Sequence, residues 1–229
     1  MKNKIYSNIT IESMAAEGKC VARINGQAVF VEGVAPGDLV DLFITKRKRN
    51  YLEGRVLNFL KISENHRTPF CKHFNRCGGC KWQQVAYEIQ LTSKRQQVID
   101  NFERIGKFPF PHVNEIIAAD ETTHYRNKLE YTFSNKRWLE KEEMESSEPI
   151  ETNGVGFHLP NLFDKIVDID ECWLQKNPSN SIRNSLRTFA LKHGLSFYNI
   201  RENHGLLRNL GDSHNLAESV DGHCAVWRR

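Results

Sequence analysis

No run of apolar residues in this chain approaches the ~18–20 needed to cross a bilayer. The first eight residues, Met1 to Asn8, hold no apolar segment of the kind that begins a secretory signal. With a mean hydropathy of −0.56, the chain reads as a cytoplasmic protein with no membrane partner, and a monomer is expected. A glycine-rich nucleotide loop is also lacking. The one candidate, Gly154-Val-Gly156, follows an acidic stretch, has no third glycine at the right step and does not open a helix. No internal repeat is visible.

What is present is enough for one or two domains. The chain has 229 residues, of which 39% are hydrophobic and 26% charged, against a usual domain size of ~100–150 residues. The net charge of +4 is unevenly placed. Residues 1–62 hold ten Lys or Arg against six Asp or Glu, which is the whole of that excess. The first quarter is therefore the segment best suited to a polyanion.

Residues 5–62 read as five short strands: 5–11, 21–24, 28–31, 39–45 and 51–60. Asn25-Gly26 marks a two-residue hairpin and Pro36-Gly37 a break. Five strands without a helical period predict a small closed β-barrel, OB-like in size. A boundary is expected near 63–69, followed by an α+β domain. A helix is expected over 84–106, stopped by Gly106, and a second over 179–193, capped by Gly194. Strands are expected at 116–119, 128–133, 155–158 and 166–169. The stretch 140–152, with six Glu, reads as a solvated loop.

Six cysteines are present: Cys20, Cys71, Cys77, Cys80, Cys172 and Cys224. In a reducing compartment, clustered thiols read as metal ligands before disulfides. The run Cys71-x5-Cys77-Gly-Gly-Cys80 with distant Cys172 can close a four-coordinate site. Zinc takes four thiolates, usually from paired Cys-x2-Cys knuckles. A [4Fe–4S] cluster takes four thiolates from a loop that wraps it, with Gly78 and Gly79 allowing close backbone approach. Spacing alone leaves the two open.

The run Cys71-x5-Cys77-Gly78-Gly79-Cys80-x-Trp82-Gln83 resembles the cluster signature of the TRAM-domain RNA uridine-5-methyltransferases. Gly18–Arg23, Gly26–Val31 and Pro36–Val40 are similar to TRAM motifs. Tyr125–Lys128 and Leu207–Leu210 are similar to further family signatures, and the likeness covers residues 5–210. It implies a structural [4Fe–4S] cluster on Cys71, Cys77, Cys80 and Cys172, S-adenosylmethionine as methyl donor, and RNA as partner, 23S rRNA above all. In that family a cysteine thiolate adds to C6 of a flipped-out uracil, C5 takes the methyl group, and a base removes the C5 proton.

The basic run Lys46-Arg47-Lys48-Arg49, followed by Tyr51, is the expected RNA contact, since phosphates seek the cations and a base can stack on the ring. Arg126 is a further candidate that reads equally well as a strand-edge cation.

No catalytic residue is assigned. Cys20 lies in a barrel strand and reads as packed, and Cys224 lies in the tail. The expected division is a TRAM RNA-binding barrel at 1–62, a central α+β domain with the [4Fe–4S] site at 63–210, and an aberrant tail at 211–229. That tail departs from the family pattern in a way a shifted reading frame reproduces. On this reading a Rossmann-like methyltransferase domain is missing and the chain is inactive alone. The alternatives are a stand-alone RNA-binding Fe–S module without enzyme activity and a tRNA uracil-5-methyltransferase fragment. A radical methylthiotransferase is set aside, because it needs Cys-x3-Cys-x2-Cys.

Overall fold

The computed structural model describes residues 4–214 and 220–223. Two compact units emerge, Met1–Phe70 with Lys81–Asp120, and Cys71–Cys80 with Glu121–Arg229. The chain leaves the first unit at Phe70, gives ten residues to the second and returns at Lys81.

The first unit is built on a closed barrel of β1 (Ile5–Met14), β2 (Cys20–Ile24), β3 (Gln27–Val31), β4 (Leu39–Arg47) and β5 (Tyr51–Lys61), in the order β1-β2-β3-β5-β4. Alternation decides which side chains enter it. Cys20, Ala22 and Ile24 on β2, Val29 and Val31 on β3, and Val40, Leu42 and Ile44 on β4 are all buried, because successive strand residues face opposite sides. Asn25 and Gly26 both have positive φ, 51° and 78°, the two-residue turn whose twist suits a hairpin. It sets the β2–β3 register, with Cys20 opposite Val31 and Ala22 opposite Val29. β5 then returns parallel to β3 and antiparallel to β4, and β1 pairs with β4 to close the barrel.

Asp38 fixes the exit from the barrel. Its carboxylate is fully buried and accepts from the backbone N–H of Ala35 at 2.8 Å and of Ser63 at 2.9 Å, with His66 Nδ1 at 2.7 Å. Helix α1 (Tyr87–Asn101) follows. It starts three residues later than the periodicity predicts. Val85 is buried and bridges to His66, and Gln84 Nε2 donates to Val34 O at 3.2 Å. Gln84 lies in a turn and Val85 in an isolated bridge, held there by tertiary contacts that override helix propensity. The turn Phe102–Gly106 is a π-helical extension. No strand forms at 116–119; Ile117 is 96% exposed, so the apolar run there has no partner strand to pair with.

The second unit is an antiparallel sheet with a helix. Its order is β10 (Val220–His223), β9 (Asn209–His214), β6 (Lys128–Ser134), β7 (Gly154–His158) and β8 (Ile166–Asp168). Central β6 buries Leu129, Tyr131 and Phe133, and they share a core with Val155, Ile169, Cys172, Ala190, Phe197 and Leu210. A short helix α2 (Lys141–Glu145), closed by a capping box between Glu140 and Glu143, lies within the expected 140–152 loop. Helix α3 (Ser179–Lys192) ends before Gly194, whose φ is +62°, the left-handed position a helix C-cap favours. Of the expected tail, residues 215–219 and 224–229 lie outside the described residues.

Candidate metal centre and nucleic-acid interface

All four cysteines expected as ligands fall in the second unit. The Cys71–Cys80 loop is held by its own backbone. Phe74 N–H donates to Cys71 O at 3.0 Å and Cys77 N–H to His73 O at 2.9 Å. Gly78 N–H donates to His158 O at 2.9 Å, which pins the loop to β7. A Cβ at Gly78 would lie 2.6 Å from that same oxygen, so only glycine permits the approach. Beside it, Gly79 N–H donates to Cys77 Sγ at 3.3 Å. Cys77 and Cys80 pack on the core that buries Cys172.

Cys172 is presented by one face of α3. Its N–H donates to Asn180 Oδ1 at 2.8 Å, and Asn180 Nδ2 donates back to Cys172 O at 3.2 Å. Asn184 Nδ2 donates to Asp170 O at 2.8 Å, Arg183 Nε to Ile169 O at 2.9 Å, and Arg187 pairs with Asp168 at 2.5 Å. Positions 180, 183, 184 and 187 recur at helical steps of three and four, so a polar stripe grips residues 168–172. From the loop side, Lys72 and His73 both reach the Asp170 carboxylate. The stripe was visible in the sequence as a periodicity, but polar residues on one helix face read equally as solvent-facing; only the contacts distinguish the two.

The thiols influence one another. Burial pushes Cys77 up to about 12, and charge on Cys80, Cys172 and Cys71 acts in the same direction. Burial likewise raises Cys71. Bare, these groups are thiols; a bound metal reverses this by deprotonating them outright. Among the described residues no group of three or more His, Cys, Asp or Glu is gathered tightly enough for a single metal ion. Zinc needs four donors ~2.3 Å from one point. A [4Fe–4S] cluster is wider, because each thiolate binds its own iron. The donor set is all sulfur, Cys77, Cys80 and Cys172 share one core, and the loop lies beside a backbone that only glycine allows, a set of residues that fits a thiolate-held cluster.

Cys20 is 1% exposed, donates Sγ–H to Val34 O at 3.3 Å and is pushed up to about 12 by burial. It is a packed barrel residue and no nucleophile. Cys224 lies outside the described residues. Gly154 and Gly156 belong to β7, where a Cβ at Gly156 would lie 2.0 Å from Val167 O. They serve close strand packing and do not fit a cradle for S-adenosylmethionine.

Lys46 to Arg49 end β4 and form the turn into β5, all exposed. Two of them are engaged: Lys46 pairs with Glu53 at 3.5 Å, and Arg47 bonds the Tyr6 phenol and lowers its pKa. Lys48 O and Arg49 O accept from Gln27 Nε2 at 3.4 Å, which shapes the turn. Tyr51 is half-buried, edge-on to Phe30 with ring centroids 5.4 Å apart. Arg126 is exposed in the second unit, its N–H donating to Leu174 O at 2.9 Å. No helix among the described residues is long and apolar enough to cross a membrane.

The TRAM domain family matches residues 6–57, the barrel just described. A protein of Bacteroides thetaiotaomicron named as an uncharacterized RNA methyltransferase is 48% identical over 198 residues, covering 86% of this chain and 44% of the relative. A Porphyromonas gingivalis protein of the same name is 42% identical over 206 residues, covering 87% and 44%. Among solved structures, the Pyrococcus abyssi tRNA (uracil-54, C5)-methyltransferase, crystallised with S-adenosyl-L-homocysteine, is 21% identical with a TM-score of 0.60. That match covers 93% of this chain and 44% of the other. The chain thus spans less than half the length of the relatives it matches. The expectation of a fold from which the methyltransferase architecture is missing is corrected here. The fold of a methyltransferase is followed along 93% of this chain, so the barrel and the α+β unit are themselves parts of such a fold. That expectation rested on the lack of a glycine-rich cradle and of an assignable nucleophile, and on the departure of residues 211–229 from the family pattern. The chain contains a TRAM domain and resembles, along most of its length, proteins named RNA methyltransferases.

Proposed function

We propose that this chain serves S-adenosylmethionine-dependent C5 methylation of uracil in RNA, with 23S rRNA as the substrate, and that it works in the cytoplasm as a monomer. Residues 1–62 are the RNA-binding barrel in this reading, and 63–210 the domain that holds a [4Fe–4S] cluster on Cys71, Cys77, Cys80 and Cys172. The observation that carries it is the pairing of a glycine-pinned thiol loop with Cys172 clasped on α3, in a chain that also has a TRAM barrel. When bound, the cluster supplies four iron–thiolate bonds that join the loop to the sheet. The chain's own residues do the rest. Asp170 holds the two ligand-bearing segments together through Lys72 and His73, and α3 fixes the backbone of Cys172. Lys48 and Arg49 meet phosphates, Tyr51 lies beside them, and Arg126 contributes a cation from the second unit.

The test is made in cells. Deleting the gene should abolish 5-methyluridine at a 23S rRNA position, read by mass spectrometry of digested RNA, while tRNA stays modified. Loss from tRNA instead would identify a tRNA enzyme. Unchanged 5-methyluridine in both would leave a cluster-bearing RNA-binding module and reject the enzymatic reading.

A further inference from the structure

Arg183 is the largest fully buried side chain among the described residues. A guanidinium stays charged in any protein environment, and an uncompensated buried charge costs several kcal/mol. Its bonded partners are neutral: Nε donates to Ile169 O at 2.9 Å and Nη2 to Asn184 Oδ1 at 3.3 Å. Nη1 is buried without a hydrogen-bond partner. The nearby carboxylate of Asp168 is bonded to Arg187 at 2.5 Å. Tyr131 is its other neighbour: the guanidinium carbon lies 4.9 Å from the ring centroid, and the side chain also bonds the neutral phenol. Tyr131 belongs to the core that contains Cys172 and receives Cys77 and Cys80. Charge on Cys172 and on Arg183 acts on the Tyr131 phenol with opposite sign. Arg183 also sits one helical step from Asn180, which clasps the Cys172 backbone. A cation has thus been enclosed against the core that holds Cys172, Cys77 and Cys80; the carboxylate that feels its charge, Asp168, is shared with Arg187 and Arg137 and is not bonded to it.

We infer that Arg183 is the buried counter-charge of the thiolate site, holding the anionic cluster in the protein and setting its reduction potential. The inference rests on the cluster reading above. Four thiolates outweigh the charge of the iron–sulfide core, so the assembled group is negative, and the net charge around a cluster is one of the factors that set its potential. A neighbouring cation favours the more negative, reduced form. Arg183 is accordingly a positioning and tuning residue that need not touch RNA.

The experiment compares anaerobically purified wild type with Arg183→Lys, which keeps the charge, and Arg183→Gln, which keeps a donor for Ile169 O but is neutral. Iron and acid-labile sulfide per chain, the decay of visible absorption in air, and the midpoint potential are measured, with circular dichroism as the check on folding. Arg183→Gln should lose its cluster several-fold faster than wild type and shift the midpoint to more negative potential, and Arg183→Lys should stay near wild type in both. Equal decay and potential in Arg183→Gln and wild type would overturn the counter-charge while leaving the cluster reading intact. Equal loss in both variants, or failure of both to fold, would show that the guanidinium acts as a structural donor and would also overturn it. A wild-type chain without iron would overturn the cluster reading, and this inference with it.

Discussion

His73 Nε2 lies 2.7 Å from Asp170 Oδ1. Through this contact one carboxylate, shared with Lys72, ties the residues beside Cys71 to those beside Cys172. Asp170 is about half exposed, so its pairs contribute about 1 kcal/mol or less to global stability. Their larger effect is on the ligand set. Asp170→Asn should leave the thermal midpoint within a few degrees of wild type yet retain less iron after desalting in chelator. Wild-type iron retention would refute that role.

Gly78→Ala must displace either the loop or the His158 carbonyl, whose oxygen would lie 2.6 Å from the new Cβ. Overpacking of this kind costs about 1–3 kcal/mol. Gly79→Ala is the matched control, because its Cβ meets nothing nearer than Cys77 Sγ at 3.4 Å. Urea unfolding of the metal-free proteins should show a lower midpoint for Gly78→Ala than for Gly79→Ala. Equal midpoints would mean the loop is not pinned there.

The barrel strands were legible because their burial has a period of two and their turns carry Asn25-Gly26 and Pro36-Gly37. The late start of α1 was not, because the fate of Gln84 and Val85 is decided by Val34 and His66, roughly 50 and 20 residues earlier in the chain. The run 116–119 looked like a strand by composition alone, and no neighbouring strand takes it up. In the thiol site, the sulfurs and glycines were readable from spacing. Asp170, Asn180 and Arg183 were not: the partners of Asp170 lie 98 and 97 residues earlier in the chain, and Asn180 and Arg183 grip backbone groups, whose identity the sequence does not mark.

RNA binding through the barrel turn should be unequal among its four cations. Lys48→Ala with Arg49→Ala should weaken binding across RNA sequences and reduce the slope of log affinity against log salt by about 0.7–0.9 per lost phosphate contact. Lys46→Ala should do less, because that ammonium already faces Glu53 at 3.5 Å. Filter binding across a salt series reads both, and an unchanged slope in the double variant would remove the turn from the interface.

Glu143 gives a pH-dependent contribution to the second unit. Arg137 holds its carboxylate at 2.6 and 3.1 Å and the Glu140 N–H donates to it at 2.9 Å, and these bonds hold its pKa down to about 2. A carboxylate whose folded pKa lies below its unfolded value stabilises the fold above the unfolded pKa, and loses that contribution as pH falls through the folded one. Glu143→Gln should therefore unfold more easily than wild type at neutral pH, and the difference should shrink between about pH 4.5 and pH 2. A difference independent of pH would show that the charge is not what stabilises this corner.

The most direct test of the central claim is the metal and sulfide content of the anaerobically purified chain. The account predicts a brown protein with about four irons and four sulfides per chain, lost in Cys172→Ser even though that residue lies far from the other three in sequence. Stoichiometric zinc without iron, or a full complement of iron in Cys172→Ser, would contradict it.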